Sequence, residues 1–301
     1  MKNYLQLMKL RVVELLLVTT LPALFLASNG IPKISTTIAC LLGGTLAAGG
    51  ANAFNMAIES NTDKLMKRTA NRPIATGEIT RTNGLIFATA ISVLSLMIFY
   101  IFTTQLATLL VAIAIGFYVL GYTLTLKTRT SQNIVWGGVA GCMPVLIGQA
   151  SVTNSLTLTS WLFFSLVFFW TPPHFWALAL RYKDDYTAAS IPMLPSVVPI
   201  KSVVRQMWFH STLMVITSLL VITSAKLSLW VIPISLLLII GWKVQLIRLS
   251  KEPTEVNAAR LFQASIVFLS IYSFLLVIGV LLKQLPVQLK IKTRCMRHRP
   301  K

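Results

Sequence analysis

Acidic side chains are the scarcest chemistry in this sequence: 8 Asp and Glu stand against 27 Lys and Arg in 301 residues. Charged residues of both signs make up only 12%, while 55% are hydrophobic and the mean hydropathy is +0.74. So little charge excludes a soluble globule. Cysteine is sparse as well. Cys40, Cys142 and Cys295 show no C-x-x-C spacing, which argues against a disulfide framework or a thiolate metal site and leaves unpaired thiols. Low-complexity tracts and Pro/Gly/Ser-rich linkers are missing too, so one integral domain is expected over residues 1–301, with a basic tail from about 283.

What the sequence has instead is apolar runs long enough to cross a bilayer core of roughly 30 Å. Nine are read, at 12–28, 36–58, 84–104, 106–125, 133–151, 157–180, 207–224, 228–247 and 262–282. The expected fold class is therefore all-α, a polytopic helical bundle in the lipid bilayer with about nine transmembrane helices. The run 12–28 follows a short basic start as a signal peptide would, but no small-residue cleavage pattern ends it and further spans follow, so it counts as the first helix.

A net charge of +19 would suit nucleic acid, yet its placement argues for no nucleic acid. With a cytoplasmic N-terminus, most Lys and Arg fall in the N-terminal segment and in the loops after helices two, four, six and eight. Lys33 and Lys226 lie opposite, as the positive-inside bias expects. The basic tail is the exception, because nine spans put it outside. The loops on the inner face are also the long, polar ones, which places the chemistry there. Helix two and the GGVAGCMP of helix five are rich in Gly and Ala, residues that let membrane helices approach closely.

The richest inner segment is NMAIESNTDKLMKRTANRP, residues 55–73. Asn55, Glu59 and Asp63 are spaced four apart, so on a helix their side chains share one stripe and rise about 6 Å per step. An amide and two carboxylates are hard oxygen ligands of the kind Mg²⁺ accepts while a substrate phosphate completes its shell. Lys64, Lys67, Arg68 and Arg72 follow, cations that can meet phosphate oxygens. The segment thus reads as a site for a metal-bound diphosphate, against the plainer alternative of an interfacial loop whose acids pair with neighbouring Lys and Arg. Four helices on, RYKDDYTAASIPMLP adds Lys183, Asp184 and Asp185 as a second side to the clamp. YTLTLK after helix four brings Tyr122 and Lys127 to the same face.

In FFWTPPHFWALAL, Pro172 and Pro173 cannot donate backbone hydrogen bonds, so helix six is expected to kink or open there. His174 follows at once. Its position suits a haem axial ligand, a base, or a core imidazole bonded to a freed carbonyl, and spacing does not choose among them.

These same residues resemble a known family. Asn55-x-x-x-Glu59-x-x-x-Asp63, running into Met66-Lys67-Arg68-Thr69-x-x-Arg72-Pro73, is similar to the first metal-diphosphate motif of the UbiA superfamily of intramembrane prenyltransferases. With YTLTLKTRTSQNIVWGG and WTPPHFWALALRYKDDY followed by IPMLP, it looks like the protohaem IX farnesyltransferase (haem O synthase) subfamily. The likeness covers roughly residues 52–195. Some positions depart from the family pattern: Glu59 where many relatives carry Asp, Arg181 four before Asp185 where a second Asp is common, and no proline within Lys9-Leu10-Arg11.

The resemblance implies transfer of farnesyl from farnesyl diphosphate to a vinyl group of haem b. It implies Mg²⁺ as cofactor, with Asn55, Glu59, Asp63 and Asp185 as catalytic metal ligands and Asp184 beside them. Lys67, Arg68, Arg72, Tyr122, Lys127 and Lys183 would bind diphosphate, and His174 and Trp176 would contact haem. It leaves haem A synthase or a terminal oxidase as candidate partners, while the short chain without a transit peptide favours a bacterial inner membrane and the charged loops put the active site toward the cytoplasm. The rival readings are a relative acting on a quinone precursor and, from another class, a transporter.

Overall fold

The computed structural model describes residues 2–228 and 230–297, with side chains not described at Val12 and from Leu285 onward. Cys295 and His298, noted in the sequence, thus fall outside the described side chains or residues. Among the described residues every regular element is helical.

The long helices are α1 (Leu10–Ser28), α2 (Ile34–Ile58), α3 (Arg81–Phe102), α4 (Gln105–Gly116, continued to Arg129), α5 (Asn133–Thr153), α6 (Leu158–Arg181), α7 (Ile200–Ser224), α8 (Val231–Lys251) and α9 (Glu255–Arg297). Eight of them, α2 to α9, are long and apolar enough to cross a membrane. Helix α1 runs 19 residues from Leu10 to Ser28, about 28 Å at 1.5 Å per residue, with Arg11 and Glu14 near its start. The nine expected segments are all present as helices.

Consecutive helices are neighbours, and α9 returns against α1 to close the ring. The main contacts across the interior are α1 with α5 and α6 with α9, and α2 also meets α4 and α5. The outer surface is apolar, with Ile86, Met97 and Ile101 of α3 and Leu237 and Ile240 of α8 exposed as lipid-facing side chains must be. Inside, small residues and hydroxyls knit the helices. Ser95 of α3 donates to the Gly43 carbonyl of α2 at 2.7 Å, and Tyr272 of α9 donates to the Ser218 carbonyl of α7 at 2.6 Å.

Three details differ from expectation. Helix α6 runs through Pro172 and Pro173 as one helix from Leu158, because tight packing of both prolines holds the helical path that the missing donors would otherwise loosen. Helix α4 does not end at 125. It changes pitch into a π-helix over Phe117–Leu126 and resumes at Lys127, so Lys127 sits on a helix end and not in a loop. Finally, α9 continues as helix through the start of the basic tail to Arg297.

Candidate active site

Glu59 caps α2 with φ −89 and ψ 7, and a short helix, Ser60–Asp63, follows. The hydrogen bonds Glu59 N to Asn55 O (2.9 Å) and Asp63 N to Glu59 O (2.8 Å) carry the four-residue register through the junction. The Asn55, Glu59, Asp63 stripe therefore survives the end of the helix. All three are buried: 3%, 9% and 3% exposed.

Each member of the stripe carries a cation from a different segment. Lys127 Nζ lies 2.6 and 2.5 Å from the two Glu59 oxygens. Arg72 Nη1 donates to both oxygens of Asp63 at 2.8 Å, after the chain between them doubles back with Thr69 Oγ1 donating to the Asp63 carbonyl at 2.9 Å. Lys9, whose backbone takes a left-handed φ of 50° just before α1, donates its Nζ to Asn55 Oδ1 at 2.8 Å. Burial, then the nearby Arg72 and Lys127 charges, pushes the Lys9 ammonium well below its usual pKa. Lys9 was visible in the sequence only as part of a motif lacking a proline. Its low-polarity neighbourhood gave no hint that the chain would fold it onto Asn55.

The π-helix explains how α4 reaches this site. Thr123 Oγ1 and Thr125 Oγ1 both bond carbonyls five residues back, and the Lys127 N–H bonds the Tyr122 carbonyl in the same register. Such widened turns recur at functional sites. Here the widened register turns Thr123 inward to receive the Asn55 amide at 3.2 Å and delivers Lys127 to Glu59. Tyr118 and Tyr122 line the same wall with ring centroids 5.5 Å apart. A methyl group at Gly137 would strike the Tyr122 ring, so the glycine after Trp136 is what admits the tyrosine.

The second loop arrives from α6 through the short helix Lys183–Ala188. The Arg68 backbone N–H donates to Asp185 Oδ2 at 3.1 Å, its guanidinium donates to Tyr186 Oη at 3.0 Å, and it lies over the rings of Tyr182 and Tyr186. Two loops four helices apart in sequence are thereby joined. Tyr186 was not singled out by sequence, since a tyrosine at a membrane interface is ordinary; its 8% exposure and its partner mark it as part of the wall. Of the expected site residues, Asn55, Arg68, Arg72, Tyr122 and Lys127 line the cavity; Glu59, Asp63 and Asp185 sit just outside the lining, and Lys67, Lys183 and Asp184 are exposed.

Below these polar groups lies a cavity of about 480 Å³. Along α2 its lining falls on one face, from Asn55 and Asn52 through Ala48 and Gly44 to Cys40. Fifteen residues separate the ends, a depth of about 22 Å at 1.5 Å per residue. The wall is apolar below the head, with Leu16, Val111, Met143, Ile147 and Trp170.

His174 and Trp176 lie outside this lining. The His174 ring is sandwiched between Trp170 (4.2 Å) and Phe262 (4.5 Å), and its Nδ1 is 2.5 Å from Ser265 Oγ. Ser265 Oγ donates its proton to the Phe262 carbonyl, so the imidazole must donate from Nδ1. The structure thus places His174 behind the cavity wall formed by Trp170 and Phe175, as a strut to α9. Trp176 is fully buried, edge-on to His210, and its indole N–H has no hydrogen-bond partner among the described residues.

Among the described residues no three His, Cys, Asp or Glu side chains converge tightly enough to form a metal site by themselves. The donor set nevertheless fits Mg²⁺, which needs only one or two carboxylates when a substrate phosphate supplies the rest. Asn55, Glu59 and Asp63 present hard oxygens on one stripe with Asp185 across from them, and each carries an N–H donor that an arriving phosphate can take over.

A ring of membrane-spanning helices around a deep apolar cavity, headed by acids and cations, defines an intramembrane enzyme that handles an amphiphilic phosphorylated chain. The family model described as "UbiA prenyltransferase family" matches residues 16–276, and the chain belongs to that family. It is 44% identical over 285 residues to the protoheme IX farnesyltransferase of Leifsonia xyli subsp. xyli, covering 93% of this chain and 92% of that one. To the enzyme of the same name from Streptomyces avermitilis it is 43% identical over 277 residues, 90% of each chain.

Among solved structures, a digeranylgeranylglyceryl phosphate synthase superposes with a TM-score of 0.74 at 17% identity, covering 93% of this chain and 98% of that one. A UbiA homologue from Archaeoglobus fulgidus bound to DMAPP and Mg²⁺ gives 0.68 at 16%, covering 91% and 99%. At these identities the likeness concerns the fold.

Proposed function

We propose that this chain, acting as one catalytic unit, transfers the farnesyl group of farnesyl diphosphate to a vinyl group of haem b, with addition of water, to give haem O. The observation that carries the reading is the cavity: Asn55 and the cations Lys9, Arg68, Arg72 and Lys127 line its head, with Asp63 and Glu59 bound to Arg72 and Lys127 just behind them, above a largely apolar trough about 22 Å deep. The relatives' name supplies the acceptor.

The residues do the following. Asn55, Glu59, Asp63 and Asp185 are the donors that would hold Mg²⁺, whose contribution when bound is to neutralise the diphosphate. Lys9, Arg68, Arg72 and Lys127 leave their present partners for phosphate oxygens and take the negative charge that grows on the leaving group as the carbon–oxygen bond breaks. The exposed Lys67 and Lys183 draw the diphosphate to the mouth. Tyr118 and Tyr122 offer ring faces to the allylic cation at C1. The vinyl carbon attacks that cation, the porphyrin stabilises the resulting positive charge, and water captures it. No protein nucleophile is required. The isoprenoid gains about 0.8 kcal/mol per CH₂ buried in the trough.

His174 acts in this reading as a strut behind Trp170. The site faces the cytoplasm of a bacterial inner membrane, since the loops that build it carry most of the Lys and Arg.

The test uses purified protein in lipid with farnesyl diphosphate. Diphosphate release should require haem b and Mg²⁺ together, stop on chelation and resume when Mg²⁺ is returned. Release driven by a quinone precursor and not by haem would refute the acceptor.

A further inference from the structure

We infer that Phe99 is the floor of the trough and sets the length of prenyl chain this protein accepts. The inference rests on the transferase reading for its ligand and adds a residue that reading does not use.

Four residues line the far end of the cavity: Cys40 on α2, Phe99 on α3, Val111 on α4 and Ile147 on α5. Each lies three to six residues from the end of its helix remote from Glu59, so they form one layer within about 9 Å of the helix ends. At and beyond that layer the bundle is packed: Ala107, Leu110 and Ala150 are buried with the same four residues in one cluster. A chain descending from the head has nowhere to go past them.

Phe99 is the bulkiest of the four and is 1% exposed. Its ring is fixed from behind. A methyl group on Gly43 would stand 2.8 Å from the ring, so the glycine is what lets the phenyl lie flat against α2. The Ser95 to Gly43 hydrogen bond, one turn away on α3, pins the two helices at that separation.

The apolar part of the trough measures from Ala51 to Cys40, about 16 Å at 1.5 Å per residue. An extended farnesyl chain spans about 14 Å, its carbon–carbon bonds being roughly 1.5 Å each and staggered, and one more isoprene unit brings it to about 19 Å. Farnesyl fits above the ring, and geranylgeranyl overruns it.

The test measures the affinities of farnesyl, geranylgeranyl and geranyl diphosphate for the full chain in detergent with Mg²⁺, by calorimetry, and in parallel the length of the chain transferred. The unaltered protein should favour farnesyl over geranylgeranyl by about tenfold or more, the scale of discrimination a tight apolar pocket achieves. Phe99→Ala, or Phe99→Leu should the alanine variant fail to fold, should erase that preference. Gly43→Ala, by pushing the ring up into the trough, should move it toward geranyl. An unaltered preference in folded Phe99 variants, or none in the starting protein, would overturn the assignment. Because binding needs no acceptor, preferences that shift as expected while haem stays unmodified would support the floor and refute the haem reading instead.

Discussion

Asn55, Glu59 and Asp63 each hold a positive partner, and this pairing is the strongest statement the site makes at the scale of single residues. Three cations packed among three oxygen ligands are mutually repulsive and poorly solvated, so the arrangement gains when a polyanion arrives to share the charge. Lys127→Ala should lower turnover by about 10²- to 10³-fold, as loss of one preorganised charge stabiliser does elsewhere. Glu59→Gln combined with Lys127→Ala should be far from additive, because the two groups touch. A double-mutant cycle on kcat/KM reads this. Lys9→Ala should raise the KM for the diphosphate by about 10- to 100-fold, one charge-assisted hydrogen bond being worth roughly 1.5–3 kcal/mol. His174→Ala should lower Tm yet leave the absorption spectrum of added haem unchanged, since the ring braces Trp170 and does not face the cavity. A changed spectrum would restore the ligand role.

The stripe of Asn55, Glu59 and Asp63 was legible in the sequence because four-residue spacing is a property of the chain itself. Lys9, Thr123 and Tyr186 were not. They reach the site through contacts between segments 46, 68 and 118 residues apart, and nothing local to them differs from ordinary interfacial residues. His174 was legible as unusual but not as a strut, because its partners Phe262 and Ser265 come from α9.

At the scale of elements, the π-helix of α4 decides more than any loop. Apolar periodicity predicts a span near 106–125 but cannot register a one-residue widening, which changes neither length nor hydropathy. Yet that residue sets where Lys127 points. Deleting the lipid-facing Leu120 should tighten the segment to an ordinary helix and rotate Lys127 by about 100° away from Glu59. The deletion variant should insert and unfold at nearly the usual temperature while losing at least about 10²-fold in turnover. A fully active deletion would remove the π-helix from the account. Pro172 and Pro173 teach the converse lesson: their local preference for a break is overridden by burial on a helix packed between α5, α7 and α9.

For the whole molecule, hydropathy alone was enough to anticipate a polytopic bundle, but not the order in which the helices close into a ring. The cavity was not legible, because it is made by small residues on several helices leaving space together, Gly44, Ala48, Gly138 and Gly141 among them. The most direct measurement is mass spectrometry of haem from membranes containing this chain, supplied with haem b, farnesyl diphosphate and Mg²⁺, beside an Asp63→Asn control. The account predicts a haem heavier by one farnesyl group and one water, absent from the control. Unmodified haem in the presence of folded protein, or equal product from Asp63→Asn, would contradict it.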